Sequence, residues 1–144
     1  MHMAGINIDE LLPHRNRMQL IDEVMEVDAH KAVTLSTVTG AWPLLDPNGA
    51  NPMVLIELAA QTAGICFGWK ELQKRDTIAG GMGWLVGIKS ASFYQETLPM
   101  GSRIITRFHK GFDFENYHEV MAEASIEGTL VGEIHLQIMQ SDKG

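Results

Sequence analysis

The stretch that decides the fold spans residues 51–69 and reads NPMVLIELAAQTAGICFGW. From residue 52 onward its only clearly polar side chains are Glu57, Gln61 and Thr62. A helix that is apolar on nearly every face either crosses a membrane or lies at the centre of a protein core. The polar residues Glu57 and Gln61, and the amphipathic strand patterns elsewhere in the chain, favour the second possibility. We therefore predict one long, buried core helix.

Sequence signals at both ends support this helix. Asn51 is a suitable N-cap residue, and Pro52 follows at the first helical position, where proline is favoured. Lys70, Lys74 and Arg75 place positive charge near the far end, where it complements the helix dipole. Because the apolar run is long enough to cross a bilayer, a membrane span is the alternative to a core helix.

Strand patterns occupy the rest of the chain. Residues 120–126 and 130–138 alternate between apolar and polar side chains, with Gly128 at the turn between them. This two-residue period is typical of half-buried strands in a hairpin. Further strands are predicted at residues 18–27, 30–38, 84–92 and 104–109. Two strands, one helix and four strands predict an α+β fold in which a curved antiparallel sheet wraps around one long central helix.

Composition limits the partners and the compartment. The 144 residues predict a single domain, 1–144, and 18 acidic against 11 basic residues give a net charge of -7. Because phosphate groups are bound by basic surfaces, we expect no nucleic acid and no anionic membrane as partner. Cys66 is the single cysteine, which excludes an internal disulfide, and residues 1–6 do not resemble a signal peptide. The default expectation is a cytoplasmic protein.

Glu57 is the most informative side chain, because its neighbours along the helix are apolar. A buried carboxylate without a partner costs several kcal/mol, so such a group is usually paired, protonated or exposed to a cavity. A carboxyl in this setting can serve as a general acid near neutral pH. Gln61 lies one turn further on the same face and could position Glu57 or a polar group of a ligand. The alternative is a structural ion pair between Glu57 and an arginine such as Arg15 or Arg17.

His14 is the second candidate for chemistry. It stands beside Arg15 and close to Arg17, and two guanidinium groups disfavour a protonated imidazole and suit a neutral general base. The alternative is a loop histidine bonded to backbone. The other histidines after residue 2 fall on strands or turns with polar neighbours, and we interpret them as solvated: His30, His109, His118 and His135. The chain has no metal-ligand spacing and no nucleotide-binding glycine motif, so we expect neither a metal nor a cofactor.

Three segments together resemble a known family. Residues 12–24, LPHRNRMQLIDEV, resemble the "LPHRxPxLLxDxV" segment of the FabZ-type 3-hydroxyacyl-acyl-carrier-protein dehydratases, which have the hot-dog fold. Residues 51–64 resemble "xPGVLxxEAxAQxxG", and residues 87–101 resemble "GIxxARFxxxVxPGD". The chain is most similar to the ApeP-like branch, associated with aryl-polyene synthesis, which shares "LPHRxPM", "IExxAQ" and a late "GxLxGxR" segment, here residues 83–89.

The resemblance implies a lyase that converts a 3-hydroxyacyl thioester, on acyl carrier protein or coenzyme A, to the 2-enoyl thioester. In FabZ-type enzymes a catalytic histidine stands in a "GHFPG" loop before the helix, whereas residues 39–51 here contain no histidine. His14 is then the remaining candidate base and Glu57 the acid. Amide groups at the start of the helix would bind the enolate oxygen.

The resemblance also implies a binding site and a partner. Met53, Trp84 and Phe93 are candidates for the apolar lining of an acyl tunnel, with Gln61 as a polar contact. Hot-dog proteins generally pair as dimers with the site at the interface, so a homodimer is expected. Two other functions stay open: a thioesterase in which the helix carboxylate activates water, and a non-catalytic subunit that binds an acyl group or a partner.

Overall fold

The computed structural model describes residues 19–75 and 83–140, with the exception of the side chains of 71–75, 83 and 84. These residues form one helix, α1 (Val54–Arg75), and nine strands. The strands are β1 (Glu23–Val27), β2 (Lys31–Thr37), β3 (Leu45–Asp46), β4 (Gly49–Ala50), β5 (Gly83–Phe93), β6 (Leu98–Pro99), β7 (Arg103–Phe114), β8 (Tyr117–Ile126) and β9 (Thr129–Gln140).

Helix α1 begins where the sequence predicts. Asn51 Oδ1 accepts a hydrogen bond of 2.9 Å from the Met53 amide, as an N-cap residue does. Regular helix starts at Val54, so Glu57 lies in its first turn. In residues 19–75 and 83–140, no helix is long and apolar enough to cross a membrane, α1 included.

The main sheet has six strands in the order β1-β2-β7-β8-β9-β5, and every neighbouring pair is antiparallel. Helix α1 packs against one side, the inner face, and contacts all six strands. Along β8, Val120, Ala122 and Ala124 are buried while Met121 and Glu123 are exposed. The predicted alternation of buried and solvated residues is therefore confirmed here.

The core between helix and sheet is apolar, with a short polar bridge. The rings of Phe67 on α1 and Phe108 on β7 meet edge to face with centroids 6.3 Å apart. The Thr62 hydroxyl lies 2.9 Å from that of Thr34 on β2, and it donates to the Leu58 carbonyl at 2.7 Å. These contacts confirm the predicted α+β architecture, an antiparallel sheet packed around one central helix.

A second, small sheet of β3, β4 and β6 was not predicted from the sequence. Its strands have two residues each, too short for a two-residue period to be recognised. Gly49 lets β4 approach β6 closely: at its φ of 150° a Cβ atom would lie 2.1 Å from the Leu98 carbonyl oxygen. Because β4 ends next to Asn51, this sheet positions the start of α1.

The pattern of β9 departs from the prediction at its first residues. Leu130 is exposed and Val131 is fully buried, the reverse of the predicted alternation. The pairing between β8 and β9 shifts by one residue at this point, because Ala124 is opposite Gly132 whereas Ser125 is opposite Leu130. A bulge moves each following side chain to the other face, and sequence periodicity does not reveal it.

The contact between α1 and β9 yields a prediction. A Cβ atom at Gly132 would lie 2.6 Å from Leu55 Cδ1, closer than two carbon atoms can approach. Since Leu55 is buried, we expect Gly132→Ala to lower the free energy of unfolding by about 1–3 kcal/mol. Urea denaturation measures the change.

The matched control is Gly40→Ala, since no atom lies within 4 Å of a Cβ at that position. We expect this variant to unfold at the wild-type urea concentration. Equal stability of the two variants would contradict the close packing of α1 on β9.

Candidate functional site

Two side chains of the first turns of α1 form the candidate site. Gln61 is fully buried, and its Nε2 donates a hydrogen bond of 3.0 Å to Glu57 Oε2. Its Oε1 accepts a bond of 3.0 Å from the backbone N–H of Leu20. Because the Leu20 amide needs an acceptor, the oxygen of Gln61 must face Leu20 and its NH₂ group must face Glu57. The amide therefore presents a donor to the carboxylate in one fixed orientation.

The spacing of these residues explains their contact. Glu57 and Gln61 are four residues apart, so they lie one above the other on the same face of α1. Glu57 is half-buried, with one carboxylate oxygen held by the Gln61 amide. A carboxyl group held this way can accept or deliver a proton at a defined position. The structure brings together the predicted pair Glu57 and Gln61.

The amides at the start of α1 are already engaged. The N–H groups of Met53 and Val54 bond to Oδ1 and the carbonyl of Asn51, and that of Leu55 bonds to the Pro52 carbonyl. The next amide along bonds in the same way, to the carbonyl three residues before it. These amide groups are therefore not free to donate to an enolate oxygen, the role that the sequence predicts for them.

Exposed apolar side chains lie beside this helix end. Met53 is 56% exposed, directly before the first turn that carries Glu57. Leu44 is similarly exposed, and its carbonyl accepts a hydrogen bond of 2.9 Å from the Asn51 amide. Leu44 adopts a φ of 59°, a left-handed conformation that is uncommon for any residue other than glycine. The start of α1 therefore offers an apolar surface next to the carboxylate.

Strand β5 separates two of the predicted lining residues. Phe93 is half-buried at its end, opposite Gly132, the residue in contact with α1 near Leu55. Trp84 is opposite Met139 at the other end of the strand. Nine residues of extended chain span about 30 Å, so Phe93 lies near the Glu57 end of α1 and Trp84 does not. Within one chain, Trp84 is therefore separated from Phe93 by the length of β5.

Histidine is absent from the neighbourhood of Glu57 in the described part of the chain. His14 lies outside the described residues, and the loop 39–51 contains no histidine. His109 and His135 lie on either side of Met121 on the outer face, away from α1. The same described residues hold no group of three or more His, Cys, Asp or Glu side chains suited to a metal ion.

The remaining two histidines lie at the far end of α1. His118 is 6% exposed, bonds through Nδ1 to Asp113 Oδ1 at 2.7 Å, and has its ring 4.9 Å from that of Phe67. Phe67 is ten residues beyond Glu57, about 15 Å along the helix axis. His30 accepts a bond through its carbonyl from the Lys110 amide, near the same ring. Neither imidazole can reach Glu57.

The prediction that His118 is solvated is therefore wrong. Its second ring nitrogen lies 3.1 Å from Gln140 Oε1, so both nitrogens have partners inside the protein. The sequence did contain a signal for this: His118 is two residues before Val120 and shares its parity with the buried residues of β8. The polar character of histidine hid that signal.

The two edges of the main sheet differ in character. Strand β1 is short, and its Glu26 is paired with Lys31 at 3.0 Å. Strand β5 has 11 residues, with Leu85, Val86 and Ile88 exposed. An unpaired strand with exposed apolar side chains is a surface that another strand can join. Ile88 is opposite Leu136, which is buried on the inner face of the sheet. The side chain of Ile88 therefore lies on the same inner face, at a point that α1 does not cover.

Comparisons with known proteins agree with this fold. A family model described as ApeP-like, ApeP dehydratase, matches residues 6–143. The chain is 29% identical over 141 residues to the 3-hydroxyacyl-(acyl-carrier-protein) dehydratase FabZ of Rhizobium johnstonii, covering 93% of this chain and 86% of that protein. It is 34% identical over 112 residues to FabZ of Streptococcus sanguinis, covering 72% and 75%. The dehydratase heterocomplex ApeI:P from Xenorhabdus doucetiae has a TM-score of 0.83 at 24% identity, covering 96% of this chain and 93% of that one.

The bond between Gln61 and Glu57 predicts a pH effect in the variant Gln61→Glu. The introduced carboxyl would lie about 3 Å from the carboxyl of Glu57. The like charge at that distance raises the pKa of the introduced carboxyl above its pKa in the unfolded chain. The contribution of this carboxyl to the free energy of unfolding is therefore complete below its pKa in the unfolded chain, and it is lost as the pH rises through its pKa in the folded chain. We expect near wild-type stability at about pH 4.5 and a loss of about 1–3 kcal/mol at about pH 7.5, measured by urea denaturation.

The comparison variant is Gln61→Leu, which removes both hydrogen bonds and introduces no titratable group. We expect it to be destabilised equally at both pH values, because the Leu20 amide stays buried without its acceptor. A Gln61→Glu protein with the same stability at both pH values would show that the two side chains do not meet.

Proposed function

The chain belongs to the ApeP-like dehydratase family, and on that basis we propose that it removes water from a 3-hydroxyacyl thioester to give the 2-enoyl thioester. The observation that carries this proposal is the half-buried Glu57, held through one oxygen by the buried amide of Gln61. Elimination of water needs an acid for the departing hydroxyl and a base for the proton on C2.

Glu57 is the proposed acid. In its protonated form it delivers a proton to the C3 hydroxyl, and the water molecule leaves as the C2–C3 double bond forms. Gln61 donates to one oxygen of this carboxyl group and so fixes the orientation of the group. The surrounding apolar helix excludes water that would compete for this proton. Gln61 thus acts as a positioning residue.

His14 is the proposed base. It follows Leu12 and Pro13 in the segment that resembles the dehydratase motif, and Leu20, six residues further, is bonded to Gln61. Leu20 is therefore tied to the face of α1 that carries Glu57. Within one chain the described histidines lie on the outer face or at the far end of α1, away from Glu57.

A second hot-dog chain is the proposed partner, joined along β5. A two-fold axis makes two copies of one edge strand run antiparallel. Pairing about the middle of β5 then brings Phe93 of one chain to the partner subunit's Trp84, and it covers Ile88 and Leu85. Met53, Phe93 and Trp84 thus line one acyl tunnel between two chains. The heterocomplex ApeI:P makes a different hot-dog chain the second candidate beside a homodimer.

The proposed substrate carrier is acyl carrier protein, as the names of the FabZ relatives suggest, with coenzyme A as the alternative. Offering one 3-hydroxyacyl group on both carriers distinguishes them by kcat/KM. Release of free thiol in the same assay would identify a thioesterase instead. Acyl binding without enoyl formation or thiol release would identify a non-catalytic subunit.

The variant Glu57→Gln tests the acid. An amide oxygen can still accept the bond from Gln61, so the fold is kept while the proton donor is lost. We expect the rate of enoyl thioester formation, followed by its absorbance, to fall by about 10²–10⁴-fold, the usual contribution of a general acid. Unchanged turnover would remove Glu57 from the mechanism.

The matched control is Glu123→Gln on the outer face of β8, which should keep full activity because Glu123 is exposed away from α1. His14→Asn tests the base in the same assay. If Glu57→Gln abolishes turnover and His14→Asn does not, then the acid is supported and the base must come from another residue or another chain.

The edge of β5 yields a separate prediction. Ile88→Lys places a charge where the proposed partner covers an apolar side chain, and burying an unpaired ammonium costs several kcal/mol. We expect the dimer to dissociate at roughly 100-fold higher concentration, measured by light scattering after size exclusion.

The control for this variant is Leu130→Lys. Like Ile88, Leu130 is an exposed aliphatic residue of the main sheet, but it lies at the start of β9 and not on β5. Its substitution should leave the dimer intact. Equal weakening by both variants would place the interface away from β5.

A further inference from the structure

Two hydroxyl groups are buried between α1 and the main sheet without a hydrogen-bond partner. They belong to Ser36 on β2 and Thr106 on β7, residues that are 0% and 1% exposed. Among the described side chains, these are the two buried oxygen or nitrogen atoms that lack a partner. Leaving a buried hydroxyl unpaired costs more free energy than an ordinary hydrogen bond gains, so such a group normally has a partner.

The two hydroxyl groups lie on the same side of neighbouring strands. Thr106 is opposite Thr34, and Ser36 is two residues beyond Thr34 on the inner face. Ser36 and Thr106 are therefore diagonal neighbours, with Cβ atoms roughly 7 Å apart. Two hydroxyl oxygens on such carbons are too far apart to bond directly, but both can bond to one small molecule placed between them.

The hydrogen bonds of Thr34 and Thr62 have a definite direction. The Thr62 hydroxyl donates its single proton to the Leu58 carbonyl at 2.7 Å. In the contact of 2.9 Å between Thr62 and Thr34, the donor must therefore be Thr34. With its own proton used, the Thr34 hydroxyl can only accept a further bond. It thus offers a lone pair beside the hydroxyl groups of Ser36 and Thr106.

The protein itself cannot supply the missing partner. Ser36 is opposite Ile104 and Thr106 is opposite Ala124, and both of these apolar residues are buried. Strand β2 lies between β1 and β7, and β7 lies between β2 and β8, so the backbone groups of both strands are engaged in sheet pairing. The partner of the two hydroxyl groups is therefore a separate small molecule.

We propose that Ser36, Thr106 and Thr34 hold one buried water molecule between α1 and the strands β2 and β7. The water oxygen accepts hydrogen bonds from the hydroxyl groups of Ser36 and Thr106, and one water proton is donated to Thr34 Oγ1. Three hydrogen bonds are the usual number for a buried water molecule in a protein. This inference does not depend on the proposed function.

The water completes a chain of hydrogen bonds from the sheet to the helix. The chain runs from the water through the hydroxyl groups of Thr34 and Thr62 to the carbonyl of Leu58, the residue after Glu57. A water molecule bonded to β2 and β7 together therefore links two strands to the turn of α1 that carries the candidate site.

The variant Thr106→Val tests the site, because valine has nearly the shape of threonine but no hydroxyl group. We expect the equilibrium constant of unfolding, measured by urea denaturation, to rise about 2- to 10-fold as the water loses a donor. A hydroxyl group without any partner gives the opposite result, since its removal would stabilise the protein. An unchanged or lowered unfolding constant would overturn the proposal.

The matched control is Thr37→Val on the same strand as Ser36. Thr37 is half-buried and lies on the outer side of β2, opposite the exposed Arg103. We expect its unfolding constant to stay within about twofold of the wild-type value. An equal rise in both variants would assign the effect to the exchange of threonine for valine in a strand and would also overturn the proposal.

A double variant tests whether one water molecule serves both hydroxyl groups. Ser36→Ala and Thr106→Val each weaken the same site, so the second substitution should cost less once the first is present. We expect the unfolding constant of the double variant to fall short of the product of the two single effects by about twofold or more. Independent effects would contradict a shared molecule.

A crystal structure of the wild-type chain that shows ordered water decides the matter even if a variant fails to fold. We expect one water oxygen within about 3.2 Å of both Ser36 Oγ and Thr106 Oγ1. Direct bonds from these hydroxyl groups to protein atoms, or two separate water molecules, would overturn the proposal.

Discussion

Between Val54 and Trp69 the only clearly polar side chains of helix α1 are Glu57, Gln61 and Thr62. The need to cover this apolar part on nearly every side determines the rest of the structure. Six strands curve against it, and the small sheet of β3, β4 and β6 holds its first turn in place. The inner face extends past the helix at β5, where Leu85 and Ile88 stay exposed. One chain therefore covers its helix but leaves its own sheet edge uncovered.

The architecture could be predicted because its signals are local and repeated. Strand β8 alternates regularly over ten residues, and Asn51 caps α1 as its side chain suggests. The exceptions depend on pairing between strands. A two-residue strand such as β4 has no period of its own, and the bulge that buries Val131 arises from its register with β8. Such features are properties of a pair of segments and not of either one.

The candidate site divides in the same way. The contact of Glu57 with Gln61 follows from helical geometry and could be predicted. The bond from Gln61 to Leu20 joins residues 41 apart, and no local pattern indicates it. Trp84 and Phe93 are close in sequence, but the extended strand β5 holds them apart within one chain. Extended chain separates residues that sequence proximity suggests are neighbours.

The bond between the Leu20 amide and Gln61 also has a consequence for the order of folding. A contact between residues 41 apart closes a large loop, and the entropy cost of that closure is met only once the intervening helix and strands are in place. The i to i+4 geometry of α1 is local, whereas the orientation of the Gln61 amide depends on the contact with Leu20. The carboxylate of Glu57 therefore has its fixed donor only when this tertiary contact is made, and native secondary structure alone does not order the acid.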